Sequence, residues 1–262
     1  MSYLNGQTGY REDLLDTRSI VKKENYVLIE PDGIVKNAIP GYENCDVTIL
    51  GSPELGASFA DYLITVNKGG MNSGFGGAGL ESFLYVLEGE VTVKNADKEA
   101  VLTGGGYIYS SAGNLVSFVN TGNEPAKIFG YKRRYEEIEG FCAHTVVGNA
   151  KDLPWVPYEG MENCYVKDFL PAAGDFGFDM NFHILKFHPG ASHGYIETHV
   201  QEHGALILTG KAMYRLDQDW VPVKKGDYIF MDAYCPQACY GVGKDEDLTY
   251  LYSKDCNRDV KL

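Results

Sequence analysis

The stretch at residues 195–210, YIETHVQEHGALILTG, places two histidines and two glutamates within seven positions. Two different metal sites are compatible with it. The segment HVQEH matches H-x-x-E-H, a zinc-protease pattern in which His199 and His203 share one face of a helix. Alternatively, Glu197, His199 and His203 share one face of a β-strand, because they have the same parity, and Glu202 points away. The surrounding sequence has to decide between a helix and a strand.

The flanking residues favour a strand. Residues 189–197, PGASHGYIE, contain a proline and two glycines, and ALILTGKAMYRL after them alternates around a turn at Gly210. A helix would also place Glu197 about 200° around its axis from His199. We therefore interpret the run as a strand that carries three possible metal ligands on one face, and the H-x-x-E-H match as accidental.

An internal repeat sets the domain organisation. GYENCDV at 41–47 recurs as GMENCYV at 160–166, YVLEGEV at 85–91 aligns with LILTGKA at 206–212, and GGGYIY at 104–109 aligns with KGDYIF at 225–230. The chain is therefore predicted to contain two copies of one unit. The predicted divisions are an N-terminal unit at 1–143, a linker at 144–158 and a C-terminal unit at 159–262.

Each unit has the pattern of an all-β domain. Short apolar-polar alternations such as FLYVLEGEVTV are separated by glycine turns, with 31 glycines in the chain, and long amphipathic helices are absent from the pattern. Short strands at regular spacing with turn signals are typical of a jelly roll or barrel. The predicted fold is two tandem jelly-roll β-barrels.

The glycine spacings resemble those of the cupin family, which implies a bicupin. E-x-H-x3-H-x6-G at 197–210 keeps the spacing of the first cupin motif, with Glu at the first His position and His at the Glu position. G-x5-D-x-Y-x2-Q at 226–237 keeps that of the second, with a glutamine at the last His position. The resemblance implies a ligand set of Glu197, His199, His203 and Gln237.

The repeat provides an internal control for this site. The corresponding positions of the first copy are Gly76, Ala78, Ser82 and Val116, and none of them is a useful metal ligand. We therefore predict a degenerate, metal-free N-terminal cupin and one metal per chain in the C-terminal cupin. Nitrogen and oxygen donors without thiolate suit Mn(II), Fe(II) or Ni(II) better than a closed zinc site.

A more specific resemblance covers the whole chain. TGYREDLL, PDGIVKN, FGFDMNFHILKFHPGASHGYIETHVQEHG, PVKKGDYIFM and YSKDCNRDV resemble the (S)-ureidoglycine aminohydrolase family, the bicupins of allantoin catabolism. This resemblance implies a Mn(II)-dependent hydrolysis of the ureide (S)-ureidoglycine to (S)-ureidoglycolate and ammonia. It also implies substrate contacts from Tyr214, Tyr250 and Lys254, in addition to Glu197. Glu197, Tyr250 and Lys254 are the predicted catalytic residues.

Composition restricts the partners and the location. The formal net charge is −13, which argues against nucleic acid or an anionic membrane surface as a partner. The sequence shows no secretory or membrane-spanning pattern, so a cytoplasmic protein is expected. Six cysteines without a C-x-x-C pair suggest reduced thiols. Cupins commonly pair through their sheets, so we expect a homo-oligomer.

Two other functions are compatible with the pattern. Two histidines and one carboxylate also suit a cupin Fe(II) dioxygenase, which would consume oxygen. A storage or sugar-sensing bicupin is the non-enzymatic alternative, and it would not need to retain a metal. The role of Glu197 is also open, because it is either a plain metal ligand or also a proton carrier for the departing amine.

Overall fold

The structure, a computed structural model, describes residues 17–260. The TGYREDLL stretch at 8–15 lies outside this range. The described chain is all-β, as predicted, with only two short 3-10 helices at Pro31–Gly33 and Pro53–Leu55. Between residues 17 and 260, no helix has the length and apolar character needed to cross a membrane. All six cysteines are free thiols.

Twenty strands make up the described fold. The first eleven are β1 Ile20–Lys22, β2 Tyr26–Ile29, β3 Tyr42–Ile49, β4 Phe59–Phe75, β5 Leu80–Glu88, β6 Glu90–Lys94, β7 Glu99–Thr103, β8 Gly106–Ser110, β9 Val116–Val119, β10 Ala126–Arg134 and β11 Val146–Asn149. The others are β12 Val156–Pro157, β13 Cys164–Asp168, β14 Met180–Phe187, β15 His203–Thr209, β16 Lys211–Leu216, β17 Asp219–Lys224, β18 Tyr228–Met231, β19 Gln237–Val242 and β20 Leu248–Asp255.

The two halves of the chain have the same strand order. One sheet runs β8-β5-β10-β4, with β3 also paired to β4, and the other runs β18-β15-β20-β14-β13. Strands β9, β6 and β7 continue the first sheet, whereas β19, β16 and β17 form a separate three-stranded sheet. The repeat seen in the sequence therefore corresponds to a repeated antiparallel topology.

Strand pairing crosses the predicted domain boundaries in three places, one of which is the pairing of the linker strand β12 with β13. Strand β2, from the predicted N-terminal unit, pairs with β18, with Tyr26 opposite Met231. Strand β11, from the predicted linker, pairs with β8, with Val146 opposite Tyr109. The C-terminal sheet is thus completed by β2, which comes before the strands of the N-terminal sheet in sequence. The N-terminal sheet is completed by β11, which comes before the strands of the C-terminal half. The division at 1–143, 144–158 and 159–262 stays a prediction of the sequence repeat, and the sheets are interlocked across it.

Three apolar clusters hold this arrangement together. One lies among the strands of the N-terminal half and includes Ile64 and Phe118. A second lies among the C-terminal strands, with β2, and includes Leu185 and Ile207. The third joins the two halves, and at its centre Phe83 stacks on Phe182 with ring centroids 3.9 Å apart. Because aromatic side chains bury large apolar areas, this third cluster makes the two halves one packed body.

A buried carboxyl group lies at the junction of the two halves. Asp61 on β4 is fully buried, and its Oδ2 accepts a hydrogen bond from the Tyr228 hydroxyl at 2.7 Å. Its Oδ1 has no hydrogen-bond partner among residues 17–260. Burial raises the pKa of Asp61 to about 8, although the Tyr228 hydrogen bond lowers it. The folded protein therefore holds Asp61 protonated at neutral pH.

We expect Asp61→Asn to reduce the loss of stability on going from pH 5 to pH 9. Asp61 keeps its proton in the folded state up to about pH 8 and loses it near pH 4 when unfolded. The contribution of Asp61 to the free energy of unfolding is therefore full below the pKa of the unfolded state and is lost as the pH rises through the pKa of the folded state. Between these two pKa values the free energy of unfolding falls by about 1.4 kcal/mol per pH unit. Asparagine mimics the neutral acid, so the stability of the variant relative to the wild type should rise as the pH goes from 5 to 9. Urea unfolding at both pH values measures this, and a stability difference that does not change with pH would contradict it.

Candidate active site

The run that begins at Glu197 is neither a helix nor one continuous strand. Glu197 forms a single antiparallel bridge with Gln237, with backbone N-to-O distances of 2.8 and 2.9 Å. Residues 198–202 are irregular, and His203 is the first residue of β15. The protease helix is thus absent, and the prediction of one strand through 203 is wrong. The Tyr234 amide donates to the His199 carbonyl at 2.7 Å, so a turn from another segment fixes this backbone instead of a neighbouring strand.

Glu202 points away from the histidines, as predicted. Its Oε2 accepts a hydrogen bond from the Ser58 amide at 2.8 Å. Burial raises the pKa of Glu202, although the Ser58 contact lowers it. The residue that would serve as the base in a zinc protease therefore lies in a different environment from the two histidines.

One pocket is lined by every residue that the sequence assigned to the site. Glu197 and His199 come from the irregular segment, whereas the other five lie on four strands, β15, β16, β19 and β20. The seven predicted residues that line the pocket are Glu197, His199, His203, Tyr214, Gln237, Tyr250 and Lys254. The cavity volume is about 20 Å³, which is room for one water-sized group. The fold brings the whole predicted set together, and the individual roles stay predictions.

The four predicted ligands have their polar atoms around one point. His199 Nε2 lies 3.3 Å from His203 Nε2, 2.9 Å from Gln237 Nε2 and 3.8 Å from Glu197 Oε2. Donors bound at about 2.1 Å to one ion are about 3.0 to 3.4 Å apart in octahedral or tetrahedral geometry. The histidine and glutamine separations agree with this spacing, and rotating the amide by 180° would present Gln237 Oε1 instead of Nε2.

Glu197 is the one predicted ligand whose side chain would have to move to reach an ion bound by the other three. In the part of the chain from 17 to 260, no three His, Cys, Asp or Glu side chains already form a metal-binding group. The distance of 3.8 Å from Glu197 Oε2 to His199 Nε2 is wider than the other two. A small rotation of the Glu197 side chain would close this gap, so the residues fit a single small ion without rearrangement of the backbone.

His203 is fixed in the form that a metal ligand needs. Its Nδ1 lies 2.7 Å from the Ser253 carbonyl oxygen. Because a carbonyl oxygen can only accept a hydrogen bond, the ring proton is on Nδ1, and the Nε2 lone pair faces the pocket. Burial lowers the pKa of His203 to about 3, with the neighbouring His199 adding to the effect. The ring is therefore neutral near pH 7.

Two residues besides the predicted ligands lie close to the Glu197 carboxylate. The Tyr158 hydroxyl donates to Glu197 Oε1 at 3.4 Å, and His193 Nε2 lies 3.9 Å from the same oxygen. Burial raises the pKa of Glu197, but the contact with His199 and the neighbouring imidazoles outweigh it, so the pKa is lower than usual. Glu197 is therefore an anion at neutral pH, as a metal ligand must be.

The far side of the pocket is formed by tyrosines and one lysine. Tyr250, Tyr252 and Lys254 alternate along β20 and all line the pocket. The Tyr214 hydroxyl on β16 lies 3.5 Å from that of Tyr250. Burial raises the pKa of all three tyrosines well above the usual value, so they are neutral hydrogen-bonding groups. Lys254 is the only Lys or Arg among the described residues that line the pocket.

Comparison with known proteins assigns the family. None of the protein-family models that were compared matches the chain. The (S)-ureidoglycine aminohydrolase of Escherichia coli strain K12 is 59% identical over 263 residues, covering 100% of both chains. The chain belongs to the (S)-ureidoglycine aminohydrolase family. Members of a family at this identity share their fold along the whole alignment.

Solved structures agree with the membership of the (S)-ureidoglycine aminohydrolase family. The crystal structure of protein Ylba from Escherichia coli is 56% identical, with a TM-score of 0.86, and covers 97% of this chain and 100% of that chain. An oxalate decarboxylase from Bacillus subtilis is only 12% identical, with a TM-score of 0.67, over 97% of this chain and 86% of that one. At that identity the likeness concerns the fold alone, and the predicted bicupin fold is confirmed.

Two tyrosines that line this aminohydrolase-family pocket were missed by the sequence analysis. Tyr252 has the same parity as Tyr250 and Lys254 on β20, so the alternation in TYLYSKD would have found it. Tyr158 follows β12 in the predicted linker and had no such signal. It reaches the pocket because its amide bonds to the Cys164 carbonyl at 3.0 Å, a contact that depends on the folded structure.

The corresponding positions of the N-terminal half hold no such group of ligands. Ser82 on β5 and Val116 on β9 are buried, and Gly76 and Ala78 carry no polar side-chain atom. Ser82 pairs with Ser110 in the sheet. In this member of the family, the four positions of the first copy therefore offer one hydroxyl where the second copy offers two imidazoles, a carboxylate and an amide.

Proposed function

We propose that this chain hydrolyses (S)-ureidoglycine to (S)-ureidoglycolate and ammonia at the pocket of the C-terminal half. The observation that carries the proposal is the convergence of Glu197, His199, His203 and Gln237, from separate segments, on one water-sized cavity. The relative from Escherichia coli that is 59% identical is named for this activity. A curated relative from Arabidopsis thaliana, 30% identical over 93% of this chain, has the same name.

We propose that these four residues hold one divalent ion, and that this ion is Mn(II). Two neutral imidazoles, one carboxylate and one amide oxygen carry a total charge of −1, so a bound divalent ion keeps a net charge of about +1. Such an ion orients the donor atoms of a small substrate and stabilises negative charge. The absence of thiolate donors favours Mn(II) over a closed zinc site.

The other residues of the pocket suit the polar groups of the substrate. Ureidoglycine carries an amine, a carboxylate and a ureido group on one carbon. Lys254 supplies the positive charge for the carboxylate, inside a chain whose formal net charge is −13. The neutral hydroxyls of Tyr214 and Tyr250, 3.5 Å apart, donate to or accept from the remaining groups. Binding through several points fixes the central carbon for attack by water.

The reaction replaces the amine on the central carbon with a hydroxyl group. Water forms the new C–O bond, the C–N bond breaks, and a proton from water leaves with the ammonia. Glu197 is the anionic group placed to carry that proton, because its carboxylate is ionised and lies within the pocket. Whether it carries the proton or only binds the ion is decided by the substitution described in the Discussion.

The activity is tested by measuring ammonia release and oxygen uptake in parallel. The protein is stripped of metal, loaded with Mn(II) and given freshly made ureidoglycine, because this substrate decomposes spontaneously. We expect ammonia release above the spontaneous rate, dependent on Mn(II), without oxygen consumption. Ammonia at only the spontaneous rate would refute the proposal, and oxygen uptake would instead indicate the dioxygenase alternative.

A further inference from the structure

The two oxygens of the Glu197 carboxylate have different surroundings. Oε2 faces His199 Nε2 at 3.8 Å, on the side of the other predicted ligands. Oε1 faces the Tyr158 hydroxyl at 3.4 Å and His193 Nε2 at 3.9 Å. One oxygen is thus directed towards the ligand cluster, and the other towards two hydrogen-bond donors that do not belong to it.

The direction of the His193 ring is fixed by the backbone of β19. The Cys239 amide donates a hydrogen bond to His193 Nδ1 at 2.8 Å, so the ring proton of the neutral form is on Nε2. The His193 amide in turn donates to the Cys239 carbonyl at 3.0 Å. The ring also packs edge-on against Phe187, with centroids 5.0 Å apart. His193 therefore carries its N–H on the nitrogen that lies 3.9 Å from Glu197 Oε1.

Tyr158 approaches the same oxygen from the segment that joins the two halves. Its amide is bonded to the Cys164 carbonyl on β13 at 3.0 Å, and its ring lies edge-on to His193 at 6.2 Å. Burial, then the neighbouring Glu197, raises the pKa of Tyr158, so its hydroxyl stays a donor. One hydroxyl at hydrogen-bond distance and one imidazole nitrogen at 3.9 Å, from two different segments, therefore lie beside the same carboxylate oxygen.

We propose that Tyr158 and His193 are positioning residues that keep the Glu197 carboxylate turned so that its Oε2 faces the other three predicted ligands. Hydrogen bonds to a ligating carboxylate orient it, and their loss commonly costs 10- to 100-fold in metal affinity or activity.

This inference rests on the proposed function. The test therefore measures metal binding in the absence of substrate, so that its outcome does not depend on turnover. Tyr158→Phe removes one donor and preserves the ring. We expect about 10- to 100-fold weaker Mn(II) binding to the metal-free protein by calorimetry, and a changed Mn(II) electron paramagnetic resonance spectrum. The Mn(II)-loaded variant should lose more in kcat than in KM, because the Glu197 carboxylate would be misplaced while the proposed substrate contacts of Tyr214, Tyr250 and Lys254 remain.

Tyr195→Phe is the matched control. The Tyr195 hydroxyl also donates to a carboxylate, that of Glu159, at 2.5 Å, but it is half exposed. We expect wild-type Mn(II) affinity and spectrum for this variant. His193→Leu, which removes the second donor, should behave like Tyr158→Phe, and Tyr158→Phe alone suffices if the leucine variant does not fold.

The outcomes separate this inference from the proposed function. If the wild type does not bind Mn(II), the proposed metal site fails. If the wild type binds Mn(II) and Tyr158→Phe binds it within twofold, with an unchanged spectrum, the positioning role is refuted and the proposed function stands. Equal losses in Tyr158→Phe and Tyr195→Phe would also refute it, because the effect would then not depend on Glu197.

Discussion

Replacement of Glu197 by glutamine is expected to lower kcat for ureidoglycine by about 10²- to 10⁴-fold, the range of general acid–base catalysis. Glutamine keeps the size of the side chain and one carbonyl oxygen, but it has no negative charge and cannot carry a proton. The change affects the one anionic group among the four proposed ligands. Steady-state ammonia release at saturating Mn(II), with elemental analysis of the same sample, measures both properties.

The two measurements together decide the role of Glu197. Retained metal with lost turnover would assign a proton-carrying role, and loss of both would assign a role as ligand. Retention of metal and turnover would exclude the proton-carrying role, because glutamine still offers one carbonyl oxygen to the ion. Glu202→Gln is the control, because Glu202 belongs to the same segment but its carboxylate bonds to the Ser58 amide. We expect this control to keep its metal and its turnover.

Replacement of Lys254 by methionine is expected to lower kcat/KM by about 10²- to 10³-fold, mainly through KM. Removing one partner of an enclosed charge pair costs roughly 2–5 kcal/mol. Lys254 is the only Lys or Arg among the described pocket-lining residues, so no neighbour there can take over the substrate carboxylate. Metal content should not change, because the ammonium group is not a metal ligand.

Steady-state kinetics and metal analysis check the lysine variant. Lys244→Met, which removes an exposed ammonium group from the turn before β20, is the matched control and should behave like the wild type. An unchanged KM in Lys254→Met would show that the substrate carboxylate is bound elsewhere. Loss of the metal in the same variant would mean that the substitution disturbs the ligand cluster and not only the substrate.

The predicted site residues share signals that are local in sequence. Glu197, His199 and His203 lie within seven residues, and Gln237 follows His203 by 34 residues at a spacing fixed by the strand order of the unit. Their convergence does not require one strand. The segment 198–202 is irregular, yet the turn at Tyr234 brings the three side chains to the same pocket.

The pairing of strands that are distant in sequence could not be predicted from the sequence. The exchange of β2 and β11 between the two sheets depends on which edge each strand meets, and an apolar run of four residues does not specify its partner. Tyr158 illustrates the consequence for the site. It lies in the predicted linker, and only the pairing of β12 with β13 brings it to Glu197.

The central claim is that one ion is held by Glu197, His199, His203 and Gln237, and the direct measurement is anomalous diffraction from crystals of the Mn(II)-loaded protein. Data collected on both sides of the manganese absorption edge locate the metal independently of any assumption about its ligands. We expect one peak per chain, within bonding distance of these four side chains, and none near Ser82 in the N-terminal half. A peak bound by other residues, or no peak from crystals grown in excess Mn(II), would contradict the account.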